Sequence, residues 1–230
     1  MTKRQFQRLC AQEVPGLFSP LGFTEIEPGA YCRARPGFFH GFGFTFSRST
    51  VRYCVPFGVT VPVIDQRGDF VMQGHYPALL VSHRLGEFRK NMRGVEKWYD
   101  CNSPEELKDS LRIVHADFLA EAEPQLAGLQ TLDDVTAAYY RYRIGRPTTG
   151  EDRPPDPFAW ATYGWLLQEL GRQAEARSWL ERAYAETTRS IYAKGGQIVP
   201  KGTKGCVLLD RSLEEKRLRA LLEKELTFEH

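Results

Sequence analysis

The stretch FFHGFGFTFSRSTVRYCVPFGVTVPV, residues 38–63, decides the fold. Phe38, His40, Phe42, Phe44 and Phe46 occupy alternate positions, with Gly41, Gly43 and Thr45 on the other face. After the polar link Ser47-Arg48-Ser49-Thr50, apolar side chains return at Val51, Tyr53, Val55, Phe57, Val59, Val61 and Val63. Successive side chains of a strand point to opposite sides of its sheet, so this period of two predicts strands with one buried face. Pro56 and Pro62 lie on the opposite phase and have no N–H for a ladder. The second run is therefore expected to be an edge strand, bulged, or broken in two. Asp65-Gln66-Arg67-Gly68-Asp69 reads as a turn, and Phe70-Val71-Met72 as a returning strand.

Helices flank the strands. Phe6, Leu9, Cys10, Val14 and Leu17 recur at spacings of three and four behind Thr2, a candidate N-cap. Pro15-Gly16 and Pro20 blur the end of this helix, which is expected to cover the sheet. From Ser103 the period changes again. Ser103-Pro104-Glu105-Glu106 supplies an N-cap, a proline at the first helical position and an acidic first turn. Leu107, Leu111, Val114, His115, Phe118, Leu119 and Ala122 form the apolar stripe, and Pro124 is expected to end or kink the helix. A further helix is expected from Thr131-Leu132-Asp133-Asp134 to about Arg143.

The chain has 230 residues, 31 Lys+Arg against 29 Asp+Glu, and 42% hydrophobic residues. That length and composition support a buried core and exclude disordered and collagen-like classes. A net charge of +2 does not suggest a general polyanion binder. Residues 1–100 carry 13 basic and 8 acidic side chains, residues 101–157 carry 6 and 11, and residues 158–230 carry 12 and 10. No apolar run approaches the roughly 18 residues of a membrane span, and MTKRQFQRLCAQE does not read as a signal peptide. The five cysteines, Cys10, Cys32, Cys54, Cys101 and Cys206, are scattered and lack CxxC spacing. Such usage fits reduced thiols in a cytoplasmic protein.

Trp160, Tyr163, Gly164, Leu167, Gly171, Ala176, Leu180 and Ala183 stand at the spacing of a tetratricopeptide repeat, which residues 158–187 resemble. Gly164 and Ala176 would sit where two antiparallel helices cross closely, with Gly171 in the turn between them. Thr188 departs from the family, which usually has a proline there. A lone repeat leaves its outer faces uncovered, so it is expected to dock on the sheet domain or on flanking helices such as Leu213 to Leu226. The expected fold class is α+β, an antiparallel sheet covered by helices and followed by an all-helical tetratricopeptide-like segment. Its domains are residues 1–144 and 158–230. The linker between them is GRPTTGEDRPPDP, residues 145–157.

Few residues point to chemistry. His40 shares its strand phase with phenylalanines and His115 lies on a helix stripe, so both read as core histidines. Cys32 and Cys54 could meet by strand pairing, yet two thiols fall short of a structural zinc site. The glycines and lysines of Gly195 to Gly205 are in the wrong order for a phosphate loop, and a GxSxG elbow and a dinucleotide fingerprint are both absent. No catalytic residue, metal ligand set or cofactor is therefore assigned. The candidate partner-binding residues are Arg84, Arg89, Lys90, Arg93, Lys97 and Trp98, with His83 and Phe88 beside them. Tyr139-Tyr140-Arg141-Tyr142-Arg143 repeats the mix of bases and aromatics that grips single-stranded nucleic acid or docks an acidic protein.

Residues 1–135 also resemble a family of small bacterial proteins of unknown biochemical function that is grouped with immunity proteins of polymorphic toxin systems. The resemblance rests on the opening helix ending in Leu21-Gly22-Phe23 and on the Phe- and Val-rich strands through Val63. It continues through Trp98, Ser103-Pro104-Glu105-Glu106-Leu107, Leu126, Leu129 and Thr131-Leu132-Asp133-Asp134. It implies an α+β fold and a non-enzymatic role in binding another protein, and it carries over no catalytic residue. The expected function is thus protein–protein interaction of an immunity or scaffold type, with no membrane partner. The alternatives are a nucleic-acid-binding module and an enzyme whose site gathers distant residues such as His75, His83 or Asp65.

Overall fold

Thr2 starts the first helix: its hydroxyl accepts from the Gln5 N–H at 3.2 Å while the Gln5 side chain accepts from the Thr2 N–H at 2.9 Å. This helix, α1 (Lys3–Phe18), buries Phe6, Cys10, Val14 and Phe18 at intervals of four. Pro15 lies inside it, because burial of Phe18 holds the last turn in place despite the missing N–H. The computed structural model describes residues 1–47, 49–64, 66–67, 79–87, 97–145, 156–193 and 211–227. Residues 62–64 and 66–67 are helical in place of the expected strand end at Val63 and turn from Asp65, because the strand before them stops at Thr60, while the expected strand at residues 70–72 and most of the expected linker lie outside the described residues.

The strands are β1 (Thr24–Glu27), β2 (Ala30–Arg35), β3 (Phe38–Gly43), β4 (Thr45–Ser47), β5 (Arg52–Cys54), β6 (Pro56–Thr60), β7 (His83–Arg84) and β8 (Tyr99–Asp100). They form an antiparallel five-stranded sheet, β1-β2-β3-β6-β7, and a three-stranded sheet, β4-β5-β8. The run that reads as one strand from Val51 is broken in two. Val55 ends the pairing of β5 in one sheet, and Pro56 opens β6 in the other. Cys32 and Cys54 consequently stand in different sheets.

Two helical segments and α1 supply the cover. Ser103 caps α2 (Pro104–Asp117) through the Glu106 N–H at 3.1 Å. A π-helical turn, Phe118–Ala122, leads into α3 (Glu123–Ala127). Pro124 does not end this run, which stays helical to Ala127. The wider turn takes up the lost N–H and the ring clash, and the Glu123 N–H reaches back to the Phe118 carbonyl. Phe118 is fully buried among the rings of Phe18, Phe23, Phe42 and Phe57. Thr131 then caps α4 (Leu132–Tyr139) reciprocally with Asp134.

The chain is α+β and divides into two compact units, Met1–Pro62 with Leu79–Val135, and Val63–Ala78 with Thr136–His230. The second unit holds the helical hairpin α5 (Pro157–Glu169) and α6 (Gln173–Ala193), followed by α7 (Arg211–Thr227). Gly171 turns the hairpin at φ +73°, and a Cβ at Gly164 would meet Leu180 Cδ2 at 2.8 Å and the Ala176 carbonyl at 3.2 Å. Within this unit Arg67 pairs with Glu225 at 3.0 Å, and Glu225 also accepts from the Trp165 indole at 2.8 Å. Leu218 and Leu222 of α7 are fully buried.

Gly58 permits a similarly close approach in the first unit. The Leu80 N–H donates to the Val59 carbonyl at 2.7 Å, and a Cβ on Gly58 would overlap the Val81 carbonyl. Gly58→Ala is expected to cost about 2 kcal/mol, because backbone rather than a flexible side chain must move. A thermal midpoint unchanged by that substitution would contradict the packing of residues 79–82 on β6.

Candidate functional site

Side chains of β2 alternate between the faces of its sheet, so Tyr31, Arg33 and Arg35 share one face. Tyr31 stacks on Phe42 at 5.0 Å inside the aromatic core. Arg33 and Arg35 lie beyond it, where the strand meets the π-helical turn and α3. Both terminal nitrogens of Arg33 are fully engaged, while its buried Nε has no partner. Its two terminal nitrogens form a fork with both carboxylate oxygens of Glu123, at 2.5 and 2.9 Å, and Nη1 also donates to the Leu21 carbonyl at 3.1 Å. The guanidinium lies 4.6 Å from the Phe23 ring centroid.

The imidazole of His40 completes the cluster. Nη2 of Arg33 can only donate and lies 3.0 Å from Nδ1, while the Leu129 carbonyl can only accept and lies 2.8 Å from Nε2. Nδ1 is therefore bare and Nε2 carries the hydrogen, which fixes one neutral tautomer. Burial holds His40 below its ordinary pKa of 6.5, and the Arg33 and Arg35 charges push the same way; the bond to Leu129 and the Glu123 charge oppose them. Below 6.5 the unfolded chain takes up a proton that folded His40 refuses, so stability rises with pH. It is fully present above 6.5 and is lost as pH falls from there through the lowered folded value. Chemical denaturation across this range is expected to show that loss, with a slope of at most about 1.4 kcal/mol per pH unit for one proton. His40→Gln is expected to flatten it.

Beside this cluster is an open cleft of about 420 Å³. Leu119, Pro124 and Ala127 form an apolar wall, and Arg33, Arg35, Glu123 and Gln130 supply its polar side. Ile113 is 50% exposed and Leu119 42%, and both Ala116 and Ala120 are exposed. Spacings of three and four put these residues on the outer face of α2 and its π-helical extension, so an aliphatic stripe leads to the cleft.

No protein-family model, curated protein or solved structure matches this chain.

The basic stretch singled out in the sequence is placed differently residue by residue. Arg84 is in β7, where its backbone N–H donates to the Glu87 carboxylate at 3.1 Å. Lys97 turns to Asp117 of α2 at 2.6 Å, lies 4.9 Å over the Tyr99 ring, and shares Asp117 with the Tyr99 hydroxyl at 2.7 Å. Trp98 is 38% exposed. Arg89, Lys90 and Arg93 lie outside the described residues, as do His75, Asp65 and Cys206. In the second unit Tyr139 is buried, and Arg143 pairs with Asp156 at 3.1 Å.

Nucleophilic groups in the first unit are drawn into packing. Cys10, Cys32, Cys54 and Cys101 are buried. Burial raises the thiols of Cys10 and Cys54, and that of Cys101 to about 11, so these sulfurs stay protonated at neutral pH. His115 sets its ring edge-on to Phe18 at 5.3 Å. Among the described residues no three His, Cys, Asp or Glu side chains gather as metal ligands, and no helix is long and apolar enough to cross a membrane.

Arg33, Arg35, Glu123 and Gln130 were not singled out in the sequence. The available signal was two arginines continuing the inward phase of Tyr31, an expensive place for charge unless a partner waits there.

Proposed function

We propose that this chain is a protein-binding module, immunity-type or scaffold in role, that acts by complementarity of shape and charge. The observation that carries this reading is the cleft of the first unit, lined by exposed Leu119 and two arginines, with exposed Ile113 further along the same helical face. Aliphatic side chains flanked by guanidinium groups are what a protein surface uses to anchor another protein. The resemblance of residues 1–135 to immunity-related proteins points the same way. A nucleic-acid role for the basic stretch draws less support, since Asp117 neutralises Lys97.

The test is affinity purification of the tagged full chain from its native host at low and high salt, beside the variant Ile113→Asp/Leu119→Asp. Both positions are exposed, so the variant is expected to melt within about 1 kcal/mol of the parent. A stoichiometric protein held by the parent and lost from the variant is the expected result. Salt-labile nucleic acid without protein would overturn the reading in favour of the nucleic-acid alternative. Equal capture by parent and variant would remove the role of this face.

A further inference from the structure

We propose, resting on the protein-binding reading above, that the cleft receives a carboxylate presented by an acidic and aliphatic segment of the partner, with Arg35 as its receptor. The two arginines of the cleft are in different states. Arg33 has Glu123 as its counter-charge and spends its fork on that carboxylate, on Leu21 and on His40. Arg35 has no carboxylate within ion-pair distance among the described residues. Its one hydrogen bond there runs from Nη1 to the Ala34 carbonyl at 3.4 Å; the Nε of each arginine is buried without a partner, so the difference between them lies in the terminal nitrogens. The cleft is thus lined by two guanidiniums and one carboxylate, which Arg33 already engages, and a positive charge remains to be matched.

The surroundings select the matching group. A planar guanidinium pairs best with a two-oxygen anion. Leu119, Pro124 and Ala127 reduce the water around it, which strengthens a charge pair formed there. Glu123 on the same wall opposes a doubly charged phosphate more than a singly charged carboxylate. The apolar wall and the stripe through Leu119 and Ile113 offer contact to a glutamate stem and to aliphatic neighbours. The fitting segment thus alternates a carboxylate with aliphatic side chains.

The probes are the blocked tripeptides acetyl-Leu-Glu-Leu-amide and acetyl-Leu-Gln-Leu-amide, titrated into the nitrogen-15-labelled full chain. The readout is the Nε–H signals of the arginines, with Arg35 assigned by its disappearance in Arg35→Gln. The Arg35 signal is expected to shift saturably with the glutamate peptide, and at least about tenfold more weakly with the glutamine peptide. Added salt is expected to weaken the first titration. Arg35→Gln is expected to abolish it, and Arg35→Lys, which keeps the charge without the fork, to retain part of it. Equal affinity for both peptides, an unmoved Arg35 signal, or undiminished binding by Arg35→Gln would overturn the proposal. Tighter response to inorganic phosphate than to the glutamate peptide would overturn the assignment to a carboxylate. A protein captured equally by the parent and by Arg35→Gln, yet lost from Ile113→Asp/Leu119→Asp, would end this inference while leaving the protein-binding reading intact.

Discussion

Phe118→Ala is expected to lower the unfolding free energy of the first unit by about 4 kcal/mol. Phe118 is fully buried, and its ring centroid lies 5.3 Å from that of Phe18, 5.5 Å from Phe23, 5.1 Å from Phe42 and 6.2 Å from Phe57. These four rings come from α1, the turn after it, β3 and β6, so Phe118 joins the helical cover to the sheet. Truncation removes the transfer free energy of the ring and leaves a cavity that fixed strands on one side and a helix on the other can only partly close. Phe118→Leu refills most of the space and is expected to cost less than half as much. Urea denaturation followed by near-ultraviolet circular dichroism checks both. A cost below about 1 kcal/mol for the alanine variant would contradict a core centred on this ring.

Glu123→Leu is expected to cost about 3 kcal/mol, because it strands the Arg33 charge. The Arg33 side chain is 12% exposed and that of Glu123 21%, so solvent softens the penalty without removing it. The pair itself is a different matter. Taking both charges out of water is costly, and a well-packed apolar replacement is often as stable as a buried ion pair. Arg33→Met/Glu123→Leu is therefore expected to recover much of the loss, limited by the bonds from Arg33 to Leu21 and His40. A double variant no more stable than Glu123→Leu would show that losing those two bonds costs as much as relieving the stranded charge. The cycle measures the coupling directly.

The elements that were legible in the sequence are those whose cause is local. Thr2, and Ser103 with Pro104, mark helix starts by groups that act within four residues. Gly164 and Gly171 mark a close helix crossing and a positive φ, needs that other residues meet poorly. The period-two run announces strands, and with the helical stripes it yields the α+β class. Pro56 announces a break in the second run, and β6 does open there, but the exchange of sheets at that break and the cut at Phe44 were not legible. Phe44 and Val55 keep the alternation unbroken while the strand partners change, and pairing is decided by residues far along the chain. The π-helical turn before Glu123 was hidden for a related reason. Pro124 announces a missing N–H, but it does not say whether the helix stops or widens.

The site was the least legible part. Lys97 looks like surface charge beside Trp98 until Asp117, twenty residues away in sequence, closes on it at 2.6 Å. Arg33 looks like an ordinary polar position of a strand until Glu123 closes on it from ninety residues further on, and His40 like a plain core residue until the Leu129 carbonyl does the same. A charge pairs across space, and its partner carries no periodic mark.

Hydrogen exchange of the full chain, free and bound to its captured partner, tests the central claim most directly. Backbone amides of residues 112–130 and 33–35 are expected to gain protection in the complex, because partner contact at Ile113, Leu119 and the Arg35 cleft suppresses local opening. Protection confined to the hairpin at residues 157–187, or to β7 and β8, with residues 112–130 unchanged, would contradict it.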